Sequence, residues 1–199
     1  NIHSDAIDFG GDTVTLQKDA IFNGATTFNG TTVALGQHDL TLKGGDSAIT
    51  GNTEIKTTVN GVDLGNLVVG AGGKITLAGG GNALKVTVDD AAAVPVDGKA
   101  LKLIKKEGNG QLQLDLSKLT VEATGAFSKW ITAVENGELV LTQESQIEEV
   151  IDESLRQQNL RDVVSQAVLD AIEDFEENTP GANFVLQLNQ MTKPNIADA

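Results

Sequence analysis

The chain of 199 residues contains no cysteine, no tyrosine, one tryptophan, two histidines and three prolines. Without cysteine, disulfide bonds, thiolate metal ligands and cysteine nucleophiles are excluded. Such a chain can also fold in an oxidising compartment without mispaired thiols, which is compatible with export. Because there are only six phenylalanines, the core has to be aliphatic and assembled from many small side chains.

Long apolar segments are also missing. No run of about 18 apolar residues occurs, so no segment predicts a membrane-spanning helix. The first residues, NIHSDAIDFGG, have neither the basic nor the apolar part of a signal peptide, and we interpret the chain as a piece of a longer protein. The hydrophobic content of 40% nevertheless suffices for a sizeable core, so global disorder is not expected.

The charge is strongly negative, with 14 basic against 28 acidic residues and a net charge of −14. A surface of this sign repels phosphate backbones, so nucleic acid is not expected as a partner. Anionic membrane surfaces are disfavoured for the same reason. The simplest interpretation is that the acidic charge keeps an exposed or exported protein soluble.

Short apolar runs alternating with Thr or Lys fill residues 1–88, as in TVTL (13–16), DLTL (39–42) and KITL (74–77). This alternation predicts strands with one buried face. The runs start about six to nine residues apart, which is closer than the spacing of about 8–12 typical of a β-sandwich. We therefore predict a mainly β fold in which residues 1–88 form coils of a right-handed parallel β-helix.

The triplet Phe-Asn-Gly occurs twice, six residues apart, at Phe22 and Phe28. Six residues correspond to one short strand and one corner. We therefore predict that both rings point inward on successive sides of the coils. Asn-Gly tolerates a positive φ, so Asn23-Gly24 and Asn29-Gly30 are predicted corners.

Residues 89–143 contain longer alternating runs. ALKLI (100–104) and QLQLDL (111–116), separated by a Gly-Asn-Gly turn, predict one β-hairpin, and FSKWITAVENGELVLTQ predicts a second around Asn136-Gly137. We expect this hairpin-rich cap to cover the open end of the β-helix, where strand edges would otherwise stay unpaired. The predicted cap and folding residues are Leu101, Leu103, Ile104, Leu112, Leu114, Leu116, Phe127, Trp130, Ile131, Leu139 and Leu141.

Residues 144–199 change to helical periodicity, and Ser145 with Glu148 forms a capping box. We predict a series of acidic C-terminal α-helices here. Their apolar stripe follows a 3.6-residue period and not strict heptads, so a trimeric coiled coil is not expected. The helices could pack on the β-region or pair between chains, which leaves open a helix-mediated oligomerisation module.

Candidate chemical sites are weak. His3 and His38 lack a second ligand at short spacing, so no metal site is predicted. The Gly-Gly-Asp turns at 9–12 and 44–47 lack the tandem pattern of calcium-binding repeats. The glycine-rich stretches at 70–75 and 79–82 do not precede a helix and lack Gly-Lys-Ser/Thr, so they do not predict a phosphate loop. We assign no catalytic, cofactor-binding or metal-binding residue.

An enzymatic alternative remains, because parallel β-helix lyases and hydrolases of polysaccharides exist. Paired acids such as Asp89-Asp90 and Glu148-Glu149 could serve a glycosidase. Such sites need carboxylates on one face and usually aromatic platforms for sugar rings, whereas this chain has few aromatic residues. We therefore predict a non-enzymatic protein and keep the polysaccharide enzyme as the alternative.

The order of these segments resembles the C-terminal end of an autotransporter passenger. GGKITLAGGGNALKVTV (72–88) resembles the last β-helix coils of such passengers, and DGKALKLIKKEGNGQLQLDL with ENGELVLTQ is similar to their autochaperone cap. GANFVLQLNQMT (181–192) resembles the helical segment that precedes the outer-membrane barrel. The strands in ITGNTEIKTTVNG and GNLVVGAGGKITLAG are most similar to those of rickettsia-type surface cell antigens.

The resemblance implies a function. It implies a passenger fragment at the surface or outer membrane of a Gram-negative bacterium, or secreted after release. In that family the cap region supports passenger folding and secretion, and passengers often act as adhesins. The implied partners are the protein's own C-terminal outer-membrane barrel, absent from this chain, and a host-cell surface receptor. No cofactor is implied.

Overall fold

A computed structural model describes residues 6–77, 83–147, 149 and 190 of the chain. The described residues form short β-strands and one 3-10 helix at Leu116–Lys118. The first strands are β1 (Ala6–Gly10), β2 (Thr13–Thr15), β3 (Ala20–Phe22), β4 (Ala25–Asn29), β5 (Thr32–Gly36), β6 (Leu40–Leu42), β7 (Asp46–Thr50), β8 (Thr53–Asn60) and β9 (Asp63–Leu64). They are followed by β10 (Leu67–Val69), β11 (Lys74–Leu77), β12 (Leu84–Asp89), β13 (Ala100–Lys106), β14 (Gln111–Gln113), β15 (Leu119–Ala123), β16 (Ser128–Glu135) and β17 (Glu138–Ser145).

The strands are distributed in rotation over three sheets. The first sheet has the order β1-β4-β7-β11-β14, the second β2-β5-β8-β12-β15, and the third β3-β6-β10-β13-β17-β16. Neighbours in the first sheet pair in parallel, as do β2–β5–β8 and β3–β6–β10–β13. The prediction of a mainly β fold with parallel sheets is therefore confirmed, and this strand order is compatible with a β-helix-like fold.

Two compact units share the chain. The first contains Asn1–Val88, Ala100–Glu122 and Trp130–Thr142, and the second contains Asp89–Lys99, Ala123–Lys129 and Gln143–Ala199. The first unit holds most of the strands. The second unit is held together by hydrogen bonds between its three segments.

The core of the first unit follows from alternation along each strand. In β4 the side chains of Thr26 and Phe28 are buried, while Thr27 between them is only half-buried. The register of the strands places apolar side chains next to each other, because Phe28 lies beside Phe9 of β1 and Ile49 of β7. Parallel strands in register place side chains of one row directly over each other, so Phe9, Phe28 and Ile49 form a continuous apolar row.

The prediction for the two Phe-Asn-Gly triplets is confirmed for the rings. Phe22 ends β3 in the third sheet and Phe28 lies in β4 of the first sheet, and both are buried. Phe9, which the sequence analysis did not single out, joins them. Its ring centroid lies 5.4 Å from that of Phe28 in a stacked arrangement and 5.8 Å from that of Phe22. Gly30, with φ of 62°, provides the predicted left-handed corner.

One glycine marks how closely neighbouring backbones approach. A Cβ atom at Gly65 would overlap the carbonyl oxygen of Gly36 and lie 2.8 Å from that of His38. Thr57 Oγ1 also donates to the Gly65 carbonyl oxygen at 2.8 Å. A side chain at this corner would therefore force the backbone segments apart.

The two predicted hairpins have different outcomes. The hairpin around Asn136-Gly137 is confirmed, because β16 and β17 are neighbours joined by these two residues with φ of 51° and 77°. The hairpin of 100–104 with 111–116 is wrong. β13 lies in the third sheet and β14 pairs in parallel with β11 in the first. The Gly-Asn-Gly turn is therefore a corner between sheets, since each strand finds a parallel neighbour one repeat earlier.

The second unit depends on buried polar groups. Asp90 is 1% exposed and its Oδ1 accepts the Gly125 N–H at 2.8 Å. The side chain of Gln143 donates to Ser128 Oγ at 2.8 Å and accepts the Val96 N–H at 3.0 Å. Each of these three hydrogen bonds connects a different pair of the unit's segments, so together they close the unit.

The predicted C-terminal helices lie outside the described residues, apart from single positions. Ser145, the predicted helix cap, is the last residue of β17. Its predicted partner Glu148 lies outside the described part of the chain, as do residues 150–189 and 191–199.

Candidate functional site

The strand β13 carries the most distinctive arrangement in the first unit. On one side it pairs in parallel with β10, with Leu67 beside Ile104. On its other side it pairs in antiparallel orientation with β17, with Leu101 opposite Leu141 and Ile104 opposite Leu139. The third sheet therefore changes from parallel to antiparallel pairing at β13. This change lets a two-residue turn finish the sheet, which parallel strands do not permit.

A β-bulge interrupts the pairing of β13 with β17. Lys102 lies opposite Val140 and Ile104 opposite Leu139, so Leu103 is the extra residue. A bulge breaks strict alternation, and consequently Leu103 and Ile104 are both buried, at 0% and 1% exposure. The bulge thus adds a second apolar side chain to the core at the point where the pairing changes.

A charged cluster fastens the hairpin to β13. Lys102 Nζ lies 2.6 Å from Glu138 Oε2, and the Lys106 backbone N–H donates to Glu138 Oε1 at 3.1 Å. The hydrogen bond from Lys102, followed by the one from the Lys106 backbone, holds the pKa of Glu138 below its ordinary value against the opposing effect of burial. A single carboxylate directly after the turn therefore binds β13 at two positions, the side chain of Lys102 and the backbone of Lys106.

The predicted cap residues fall into three groups. The buried group consists of Leu101, Leu103, Ile104, Phe127, Trp130, Leu139 and Leu141. Leu112 and Leu114 are half-buried. Leu116 and Ile131 are 36% and 44% exposed, so they contribute little apolar burial. β13, β16 and β17 bring most of the buried group together in the first unit, whereas Phe127 belongs to the second unit.

Sequence reasoning missed a polar ladder at one corner of the first unit. Asp19 Oδ1 accepts the Asp39 N–H at 3.0 Å, and Asp39 Oδ1 accepts the backbone and side-chain N–H groups of Asn66 at 3.1 and 2.8 Å. Each of the three residues directly precedes a strand of the third sheet. The signal was present in the sequence, as an Asp or Asn before an apolar run in three successive repeats.

A second ladder crosses the outer face of the second sheet. Lys85 Nζ lies 2.8 Å from Glu122 Oε2 and 3.9 Å from Glu54 Oε1, and Thr87 Oγ1 donates to Glu54 Oε1 at 2.7 Å. These side chains belong to three adjacent strands, β8, β12 and β15. Alternating charges on neighbouring strands favour this register.

The residues that were considered for metal binding or catalysis either form structural hydrogen bonds or lie apart from other such residues. His38 lies between β5 and β6, with Nδ1 3.7 Å from Asp19 Oδ1. Asp89 Oδ1 accepts the Thr124 hydroxyl at 3.0 Å, and Asp90 is bonded as above, so both acids of this predicted pair are engaged. In the described part of the chain, no three His, Cys, Asp or Glu residues cluster as metal ligands. His3 lies outside it.

Among the same described residues, no helix is long and apolar enough to cross a membrane. Comparisons of the chain with protein-family models, with curated proteins and with solved structures found no match.

Proposed function

We propose that this chain is the C-terminal part of the passenger of a Gram-negative autotransporter surface protein, without enzymatic activity. In this proposal the rotating strands form a right-handed parallel β-helix, and the hairpin of β16 and β17 ends it. The observation that carries the proposal is the double pairing of β13, parallel to β10 and antiparallel to β17.

The physical reason is the cost of starting a stack of coils. Each coil buries its apolar row only against a neighbour, so the first coil to form has no surface to pack on. A hairpin forms locally, since its two strands are adjacent in sequence. Once formed, β17 offers β13 a paired edge and the buried side chains Leu139 and Leu141. The hairpin of β16 and β17 thus nucleates the coils that precede it, which supports folding and secretion of the passenger.

The remaining parts of the proposal follow from the resemblance. The passenger is displayed at the cell surface or released, its own outer-membrane barrel follows this region, and its outer faces adhere to a host-cell receptor. The polar outer positions, such as the Glu54–Lys85–Glu122 ladder, are compatible with a solvated surface.

The proposal is tested in a Gram-negative host that expresses the gene with its natural flanking sequence. We expect antibody against this chain to label intact cells, and added protease to remove the label. Leu139→Ala and Trp130→Ala should lower the amount of label on intact cells, while Val62→Ala, at a position 88% exposed, should not. A chain that stays inaccessible in intact cells would contradict the proposal. Binding of the purified protein to host cells tests the adhesive role separately.

A further inference from the structure

The dipeptide Asn-Gly occurs five times in the chain, beginning at Asn23, Asn29, Asn60, Asn109 and Asn136. In this dipeptide an asparagine loses its side-chain amide most readily, because glycine has no Cβ to hinder attack by its own backbone nitrogen. Folding decides which copies react, since the nitrogen and the side-chain carbon have to approach each other. The five copies therefore place the same chemistry in five different surroundings.

Two of the copies are held by hydrogen bonds. The Gly30 N–H donates to the last carbonyl oxygen of β7 at 3.1 Å. The Gly110 N–H donates to the Glu107 carbonyl oxygen at 2.9 Å, and Asn109 Oδ1 accepts the Gly72 N–H at 2.7 Å. In both copies the attacking nitrogen is already engaged, so a hydrogen bond has to break before the reaction begins.

Two further copies are held by packing or by strand pairing. Gly24 is buried, and a Cβ added to Gly44 would overlap the backbone of both Asn23 and Gly24. Asn60 is the last residue of β8 and pairs with Asp63 of β9. At both places a rotation of the backbone would displace a neighbouring segment, which slows ring closure.

The fifth copy lies in the two-residue turn between β16 and β17. Asn136 is exposed, and the rotation that closes the ring involves the backbone of the turn alone. The Lys106 ammonium group lies against the turn, since a Cβ added to Gly137 would be 3.0 Å from Nζ. A positive charge at this place stabilises the negative charge that develops on the attacking nitrogen and on the amide oxygen. We propose that Asn136 is a site of spontaneous deamidation in the folded chain and that Lys106 promotes the reaction.

The reaction needs water and no other reactant. The Gly137 nitrogen forms a bond with Cγ of Asn136, the bond from Cγ to Nδ2 breaks, and the proton of the glycine N–H leaves with the amide as ammonia. Water then opens the cyclic imide at either carbonyl group, which gives aspartate or isoaspartate. Both products add a negative charge beside Lys106. Neither an oxidant nor a reductant takes part.

The two products differ in their effect on the hairpin. Aspartate keeps the main chain of the turn, whereas isoaspartate adds a carbon to it. The length of a turn fixes the register of its two strands, so the isoaspartate form should melt at a lower temperature than the native chain. This inference is independent of the proposed function, because it depends only on the turn, Lys106 and water.

Incubation of the purified full chain at neutral pH, followed by trypsin digestion and mass spectrometry, tests the site. Trypsin places Asn136 and Asn109 on separate peptides, residues 130–156 and 107–118, and deamidation changes the mass of each. In the folded chain Asn136 should deamidate about fivefold faster than Asn109 or more, because Asn109 is held by hydrogen bonds. In concentrated urea the two should react at similar rates, since only the local sequence then matters.

Substitution of Lys106 tests the role of the charge. Lys106→Gln keeps the backbone N–H that donates to Glu138 and should slow deamidation of Asn136 by about threefold, the effect expected for an exposed charge. Lys106→Arg should retain the native rate, and added salt should slow the reaction because it screens the charge. The control is Lys18→Gln, at an exposed lysine in another part of the chain, which should leave the rate unchanged.

Asn136→Gln confirms the assignment, because the longer side chain closes a ring much more slowly and the mass of peptide 130–156 should stay constant. Circular dichroism melting checks that each variant is folded. If folding slows Asn136 as strongly as Asn109, the turn is held or covered and the site is rejected. If Lys106→Gln deamidates at the native rate, the role of Lys106 is rejected.

Discussion

Lys102 Nζ on β13 lies 2.6 Å from Glu138 Oε2 on β17, directly after the turn that connects the last two strands. The ion pair spans the antiparallel junction of the third sheet. Glu138 is the less exposed partner, with 12% of its side chain accessible against 52% for Lys102. The pair therefore links a solvated lysine to a carboxylate that is partly removed from water.

This pair predicts acid sensitivity. Because the pKa of Glu138 is lowered in the folded protein, its stabilising contribution is full above its ordinary value of 4.5 and is lost as the pH falls through the folded pKa. Glu138→Gln should cost about 1 kcal/mol in free energy of unfolding at pH 7. In denaturant titrations, the difference from the native chain should shrink as the pH is lowered below 4.5 and through the folded pKa of Glu138. The control is Glu107→Gln, at an exposed acid near the same strand, which should change the free energy of unfolding little at pH 7.

The side chain of Trp130 should contribute much more to stability than that of its neighbour Ile131. It is 6% exposed, whereas its neighbour Ile131 is 44% exposed. Trp130→Ala should lower the free energy of unfolding by about 3–5 kcal/mol, and Ile131→Ala should change it by about 0.5 kcal/mol or less. Circular dichroism measures unfolding of both variants. Tryptophan fluorescence cannot be used, because Trp130→Ala removes the only tryptophan. Equal effects of the two substitutions would show that the ring is not a core residue.

Gly65 predicts a backbone clash. In Gly65→Ala the new methyl group would meet the carbonyl oxygens of Gly36 and His38, and the neighbouring strands would have to separate. We expect a loss of about 2–3 kcal/mol in free energy of unfolding. The matched control is Gly10→Ala, where nothing lies within 4 Å of the added Cβ. A melting temperature of Gly65→Ala equal to that of Gly10→Ala would contradict the close approach at this corner.

The corner ladder predicts a second pH effect, in which acidification stabilises the variant instead of destabilising the native chain. Asn66 is 2% exposed and donates two hydrogen bonds to Asp39 Oδ1. In Asn66→Asp one donor is replaced by a buried carboxylate facing another carboxylate, which should cost about 3 kcal/mol at pH 7. The loss should shrink as the pH falls and the new carboxyl group is protonated. Thermal unfolding at several pH values measures this, with the exposed Asn52→Asp as control.

The local features of the fold could be predicted because they depend on neighbours in sequence. The six-residue spacing identified Phe22 and Phe28 as core residues, and Asn136-Gly137 identified the final hairpin. The same reasoning failed for the Gly-Asn-Gly turn between β13 and β14, because glycine and asparagine permit a hairpin turn and a corner equally well. The sequence was equally ambiguous about which residue of the hairpin is buried, since Trp130 and Ile131 are adjacent apolar residues on opposite faces of one strand.

The sequence by itself determined which residues extend, which residues turn and that the core is aliphatic, since these depend on side-chain chemistry and on a period of two. Apart from the hairpin of β16 and β17, only the tertiary structure decided which strands pair. Phe28 meets Ile49 and Asp39 meets Asn66 across more than twenty residues of chain. Such contacts are selected by the fit of one repeat against the next. The change of pairing at β13, on which the proposed function rests, arises from the same non-local selection and has no local signature.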